Sequence, residues 1–159
     1  MLQLEPVATV RNARHTPVDD YWRDLPSTLH FDARFDPSAL AGLESFSHLE
    51  VVYVFDRVPA HKIQTAARHP RNREDWPLVG IFAQRGKGRP NRIGVSRCRI
   101  VGVSGREVHV LDLDAIDGTP VLDIKPWMDE FAPLGPTRQP AWSSELMDRY
   151  YLPNKSDPR

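Results

Sequence analysis

Residues 80–128, GIFAQRGKGRPNRIGVSRCRIVGVSGREVHVLDLDAIDGTPVLDIKPWM, decide how this chain is read. They open on a short apolar run, cross a basic loop, and close with two strand-like runs and an acidic turn. The loop QRGKGRPNR cannot be regular structure with Gly86, Gly88 and Pro90 so close together. Residues 93–103 and 107–113 read as the two arms of a hairpin, with Ser104 and Gly105 supplying the turn. Asp117-Gly118-Thr119-Pro120 reads as a second tight turn, before the apolar Val121, Leu122 and Ile124.

Upstream, residues 46–58 (FSHLEVVYVFDRV) are the most strand-like segment of the chain. The unbroken run from Val51 to Phe55 predicts a central strand covered on both faces. Residues 78–83 predict a further strand, 27–35 a strand alternating through Leu29, Phe31 and Ala33, and 3–12 a first strand. Asp36 followed by Pro37 offers a cap and first position for one or two helical turns over residues 38–43. Residues 13–26 and 59–73 carry the marks of loops, and AWSSELMDRYY predicts a short helix capped by Ser143 or Ser144. Many short strands joined by turns predict a mainly β fold, an antiparallel barrel or sandwich with short peripheral helices.

The chain of 159 residues is expected to form one domain over residues 1–152, with 153–159 a flexible tail. No apolar run approaches the roughly 20 residues that a membrane span needs. The N-terminal segment lacks the apolar centre of a secretory signal, so a cytoplasmic protein is expected. Cys98 has no second thiol to pair with and predicts a buried filler. Twenty-one basic residues balance twenty-one acidic ones, which argues against non-specific grip on nucleic acid. Their distribution is uneven. Arginines 68, 71, 73, 85, 89, 92, 97 and 99, with Lys87, crowd one stretch, and Asp112, Asp114, Asp117 and Asp123 follow it.

Two clusters can carry chemistry. The glycines of the loop let backbone approach a ligand, and Arg85, Lys87, Arg89 and Arg92 could clasp phosphate or carboxylate; the plainer reading is a solvated basic turn. The carboxylates around Gly118 could bind a metal, take a proton or hold ribose hydroxyls. With no His among them and no regular ligand spacing, no metal is expected; the plainer reading has Asp117 capping the turn and Asp123 paired with Lys125. His48 reads as a core or strand-edge residue. Trp22, Trp76, Trp127 and Trp142 all sit beside loops or prolines, where an exposed indole could stack on a base.

GLESFSHLEVVYVF, GIFAQRGKGRPNRIGVS and LDAIDGTPVLDIKPW together resemble the three signature blocks of the TsaA-like family, which includes the TrmO tRNA methyltransferases. The resemblance, to a short form without the extra C-terminal domain, implies a compact β-barrel that dimerises and binds S-adenosylmethionine near the subunit interface. The implied reaction is methylation of the exocyclic nitrogen of threonylcarbamoyl-adenosine in tRNA. Carried onto matching positions, cofactor contacts would come from Asp56, Arg57, Arg85, Val95, Leu111, Asp112, Leu113 and Asp114. Substrate contacts would come from Arg89, Asn91 and Lys125, and Asp123 is the candidate proton acceptor. Gln84, Gly86, Lys87 and Arg92 depart from the family loop. The Pro-Arg-Gln-Pro-Gly segment that TrmO proteins carry near the N-terminus is replaced by ARHTPVDDYW. Two alternatives stay open: a cofactor-binding module without catalysis, and a methyltransferase acting on another RNA or a small molecule.

Overall fold

The computed structural model describes residues 1–154. Its centre is a closed, antiparallel six-stranded barrel in the order β1 (Ala8–Asn12), β2 (Pro26–Phe31), β7 (Glu107–Leu111), β6 (Ile93–Ser104), β3 (His48–Val54) and β8 (Pro120–Pro126), which returns to β1. A two-stranded ribbon, β4 (Ala67–Arg68) with β5 (Val79–Gly80), stands apart from it. Short 3₁₀ turns and one helix, α1 (Ala141–Met147), complete the described chain. The mainly β barrel with short peripheral helices is therefore the fold observed. Among the described residues no helix is long and apolar enough to cross a membrane.

Strand alternation fills the barrel. Val10, Leu29, Leu49, Val51, Tyr53, Cys98, Val108, Val110 and Val121 point inward and are buried. The predicted double-sided burial of β3 is corrected: Leu49, Val51 and Tyr53 are buried, whereas His48, Glu50, Val52 and Val54 are half-exposed. A closed barrel gives each strand a single inner face, so β-branched residues on the other face remain partly wet. Strand β6 is twelve residues long because it serves two neighbours, pairing with β3 from Ile93 to Arg99 and with β7 from Arg99 to Ser104. A register shift between Ile100 and Gly102 bends it from one to the other.

The hairpin turn falls at Gly105, at φ 58°, and Gly118 turns the chain at φ 84°. The first strand is shorter than predicted, since pairing begins at Ala8. The strand predicted over residues 78–83 shrinks to Val79–Gly80, followed by a 3₁₀ turn, Ile81–Ala83, that leaves Phe82 exposed. Asp36 does cap the turn Pro37–Leu40, accepting the Ser38 N–H. Neither serine caps α1, however. Pro140 holds that position, and the Ser143 hydroxyl donates back to the Pro140 carbonyl. Of the expected tail, Pro153 forms a parallel bridge with Arg23, and residues 155–159 lie outside the described residues.

Candidate functional site

Strand β7 stops at Leu111 because Asp112 adopts φ 73°, a left-handed conformation that no strand can continue. The chain turns away there, and β6 runs on from residue 98 to Ile93 with β3 alone beside it. One edge of β6 is thereby open. Alternate residues of an antiparallel strand direct their main-chain groups to opposite sides. Those of Val95 face the open side, since the Val95 carbonyl accepts from Arg85 Nη2 at 2.9 Å rather than from β3. Along this edge lies a cleft of about 260 Å³, lined by Arg23, His48, Arg97, Cys98, Arg99, Asp112 and Tyr151.

The backbone of Asp112 is held by a knot of charge. Arg99 Nε donates to Asp112 Oδ2 at 2.6 Å, Arg99 Nη2 donates to Asp24, and the Asp24 N–H donates to Asp112 Oδ1 at 2.7 Å. Burial alone would raise the Asp112 carboxyl, but these hydrogen bonds and the Arg99 charge outweigh it and hold the group below the usual carboxylate range. Asp112 thus opens the strand edge, and its own carboxylate is already engaged.

Two residues further on, Asp114 is gripped by phenols. Tyr53 Oη donates to Asp114 Oδ1 and to the Asp114 carbonyl, both at 3.1 Å, and Tyr150 Oη donates to Asp114 Oδ2. Burial and then the Asp114 charge push both phenols well above the ordinary tyrosine value, so both remain donors. The same two causes push Tyr151 up to about 12. Burial pushes the Cys98 thiol up to about 12, with Asp114 and Asp112 adding to it, and the residue is the buried filler expected. Among the described residues no group of His, Cys, Asp and Glu is placed to hold a metal.

The other anticipated residues sort by position. Arg85, Val95, Asp112 and Asp114 gather at the open edge of β6. Leu111 is half-buried, and Leu113 is fully buried, so only its main chain can meet a ligand. Asp56 is exposed just after β3, and Arg57 donates to the carbonyls of His15 (2.7 Å) and Asp117 (3.1 Å). The Asp117 carboxylate accepts the Asn12 N–H at 3.1 Å and so ties the turn to β1. Arg89 Nη1 donates to the Gln84 carbonyl at 2.7 Å and Asn91 is exposed at φ 62°, so both shape the loop. Asp123 and Lys125 lie on the outer face of β8 as an ion pair of 2.7 Å. The pairings of Val52 with Asp123 and with Val95 set Asp123 two strand spacings, roughly 10 Å, from Val95.

The basic stretch divides cleanly. Arg71, Arg73, Arg97 and Arg99 pair with Asp20, Asp75, Glu50, and Asp24 with Asp112. Among the described residues, Arg68, Arg85, Arg89 and Arg92 hydrogen-bond to neutral oxygens and form no ion pair, so their charge is left uncompensated around the loop. Trp22 and Trp76 are buried under Arg14 and Arg73 and cannot stack on a base. Sequence reasoning missed Tyr53, Tyr150 and Tyr151. The adjacent aromatics after α1 were the only signal for the last two.

Fold and site define a small β-barrel whose open strand edge, set between a basic loop and a clamped carboxylate, suits a nucleoside-like ligand, with none of the doubly wound sheet of Rossmann-type enzymes. The chain belongs to the tRNA-methyltransferase O N-terminal domain family, whose model matches residues 8–132. It is 37% identical over 109 residues to a Pyrococcus abyssi protein named "Probable S-adenosyl-L-methionine-binding protein", covering 69% of this chain and 56% of that one. It is 32% identical over 116 residues to the human tRNA (adenine(37)-N6)-methyltransferase, covering 73% of this chain and 26% of that one. A crystal structure of TrmO from Pseudomonas aeruginosa superposes with a TM-score of 0.72 at 26% identity, covering 89% of this chain and 62% of that one. The chain thus spans only part of each of these relatives.

Proposed function

We propose that residues 1–152 act as one domain that binds S-adenosylmethionine at the open edge of β6 and transfers its methyl group to an adenine-derived nitrogen in tRNA, with threonylcarbamoyl-adenosine the first candidate acceptor. The observation that carries this reading is the edge itself, where the side of Val95 and Arg97 away from β3 meets no strand among the described residues, Arg85 reaches the Val95 carbonyl, and Asp114 lies close by. A strand edge presents an N–H and a C=O to a purine edge, as it would to another strand. A carboxylate such as Asp114 accepts from ribose hydroxyls or an ammonium, and a guanidinium such as Arg85 clasps a carboxylate. The donor set therefore fits the cofactor. Relatives named for S-adenosylmethionine binding and for tRNA methylation support the same reading.

The bound cofactor supplies a methyl group on a sulfonium that is displaced in line by the acceptor nitrogen. The protein contributes chiefly position. Because the sulfonium charge diminishes as the methyl leaves, a carboxylate held against it would stabilise the reactant more than the transition state. Asp114 serves better as a ribose or amino-group contact. The uncompensated cations of the loop, Lys87, Arg89 and Arg92, and Arg68 of the neighbouring β4, meet tRNA phosphates, with Asn91 beside them. Asp123, partnered by Lys125, takes the proton of the attacking N–H when the acceptor lies across the outer face of β3 and β8. Exposed Phe82 and Val95 flank the site and give a second copy of the chain an apolar face to cover, which supports a homodimer.

The test is incubation with methyl-labelled S-adenosylmethionine and total tRNA, with and without the threonylcarbamoyl modification. Label confined to the modified pool is expected. Label in both pools would assign another acceptor, and cofactor binding without label in either would leave a binding module.

A further inference from the structure

The segment that closes over Asp114 comes from outside the family-matched residues 8–132. After α1 the chain runs back as a strap alongside residues 21–23 to reach Asp114. Trp76 Nε1 donates to Glu145 at 2.7 Å and anchors the helix. The N–H groups of Tyr21 and Trp22 donate to the carbonyls of Arg149 (3.1 Å) and Tyr150 (2.9 Å), and Arg23 bridges Pro153. These contacts deliver Tyr150 to Asp114 and set Tyr151 in the wall of the edge cleft. The two rings meet edge to face, with centroids 5.0 Å apart.

Resting on the cofactor reading above, we propose that this strap is a working part of the cofactor site, in which Tyr150 is a positioning residue for Asp114 and Tyr151 walls the ligand. A carboxylate offers about four acceptor positions on its two oxygens. Tyr53 holds one oxygen and Tyr150 the other, which fixes the rotation of the carboxylate plane and leaves further acceptor positions for ribose hydroxyl or ammonium donors. Neither phenol alone constrains both oxygens. The ordering is complete before the ligand arrives, so binding does not have to supply it. The segment ARHTPVDDYW, through Tyr21 and Trp22, is the dock that the strap needs.

The test is calorimetric titration of S-adenosylhomocysteine into the full chain and into Tyr150→Phe, Asp114→Asn and the double variant. Tyr150→Phe keeps the ring and removes only the donor. It is expected to weaken binding roughly tenfold with little change in melting temperature, and to have no further effect in the Asp114→Asn background. Unchanged affinity overturns the proposal, and tighter binding would make the strap a plug instead. An equal loss in both backgrounds overturns it too, since that is packing and not orientation. If Tyr150→Phe does not fold, Tyr53→Phe asks the same question of the other oxygen. If the unmodified chain does not bind S-adenosylhomocysteine, the cofactor reading itself fails, a result distinct from any of these.

Discussion

Gly94 lies directly beneath the ring of Tyr53: a β-carbon built on it would stand 2.6 Å from two ring carbons, and 2.9 Å from Phe55. Neither ring can yield cheaply. Tyr53 is buried, packs edge to face with Phe55, and ends in its bond to Asp114. Gly94→Ala is therefore expected to cost about 1–3 kcal/mol as an overpacking change. Urea denaturation measures the cost, and calorimetry should show weaker cofactor binding as Tyr53 is driven off Asp114. A variant as stable as the parent would mean that the barrel relaxes freely at this point.

Much of the fold was legible because local chemistry and long-range pairing agree. Alternation through Val108 and Val110, with glycine at Gly105 and at Gly118, defines the hairpin and the turn that leads into β8. The run in β3 misled because β-branched residues suit either face of a strand, and only barrel closure decides which face is dry. Arg85 and Asp114 could be named from motif positions. Tyr150 could not, since its bond to Asp114 spans 36 residues and depends on a strap docked by the backbone of Tyr21 and Trp22. Similarly, no pattern announces that Asp112 will take a left-handed conformation to end β7; the Arg99 and Asp24 contacts that hold it are tertiary.

That knot predicts an acid limb of stability. Asp112 is depressed in the folded chain, so its contribution is fully present above the ordinary carboxylate value of about 3.9 and is lost as pH falls through the lower folded value. Melting temperature should drop below about pH 4. Asp112→Asn should melt lower at neutral pH and show a shallower acid limb. An unchanged limb would assign the acid sensitivity to other carboxylates such as Asp36, which is also depressed by its hydrogen bonds with Ser38.

The division of the basic stretch predicts which cations meet RNA. Lys87 is exposed at the loop tip, and Arg68 donates to the neutral side-chain oxygen of Asn72. Replacing either with alanine should weaken tRNA binding and lower the slope of log affinity against log salt by about one, without changing the melting temperature. Arg71→Ala is the contrast, because it strands the half-buried Asp20 and should reduce stability instead. Filter binding over a salt series, paired with melting curves, separates the two classes. Equal salt slopes for all three variants would remove the loop from the RNA path.

Asp123 gives the sharpest test of how the proton leaves. A urea-like N–H is a weak nucleophile, and a positioned base is worth about 10²–10⁴ in rate. Asp123 stands two strand spacings across the outer face from Val95, half-exposed and joined to Lys125. If it is the acceptor, Asp123→Asn should lower single-turnover methyl transfer by at least about a hundredfold while S-adenosylhomocysteine affinity stays the same. Undiminished transfer by Asp123→Asn would mean that water or an RNA phosphate takes the proton. Asp123 would in that case serve β8 only as the partner of Lys125, and catalysis would rest on position alone.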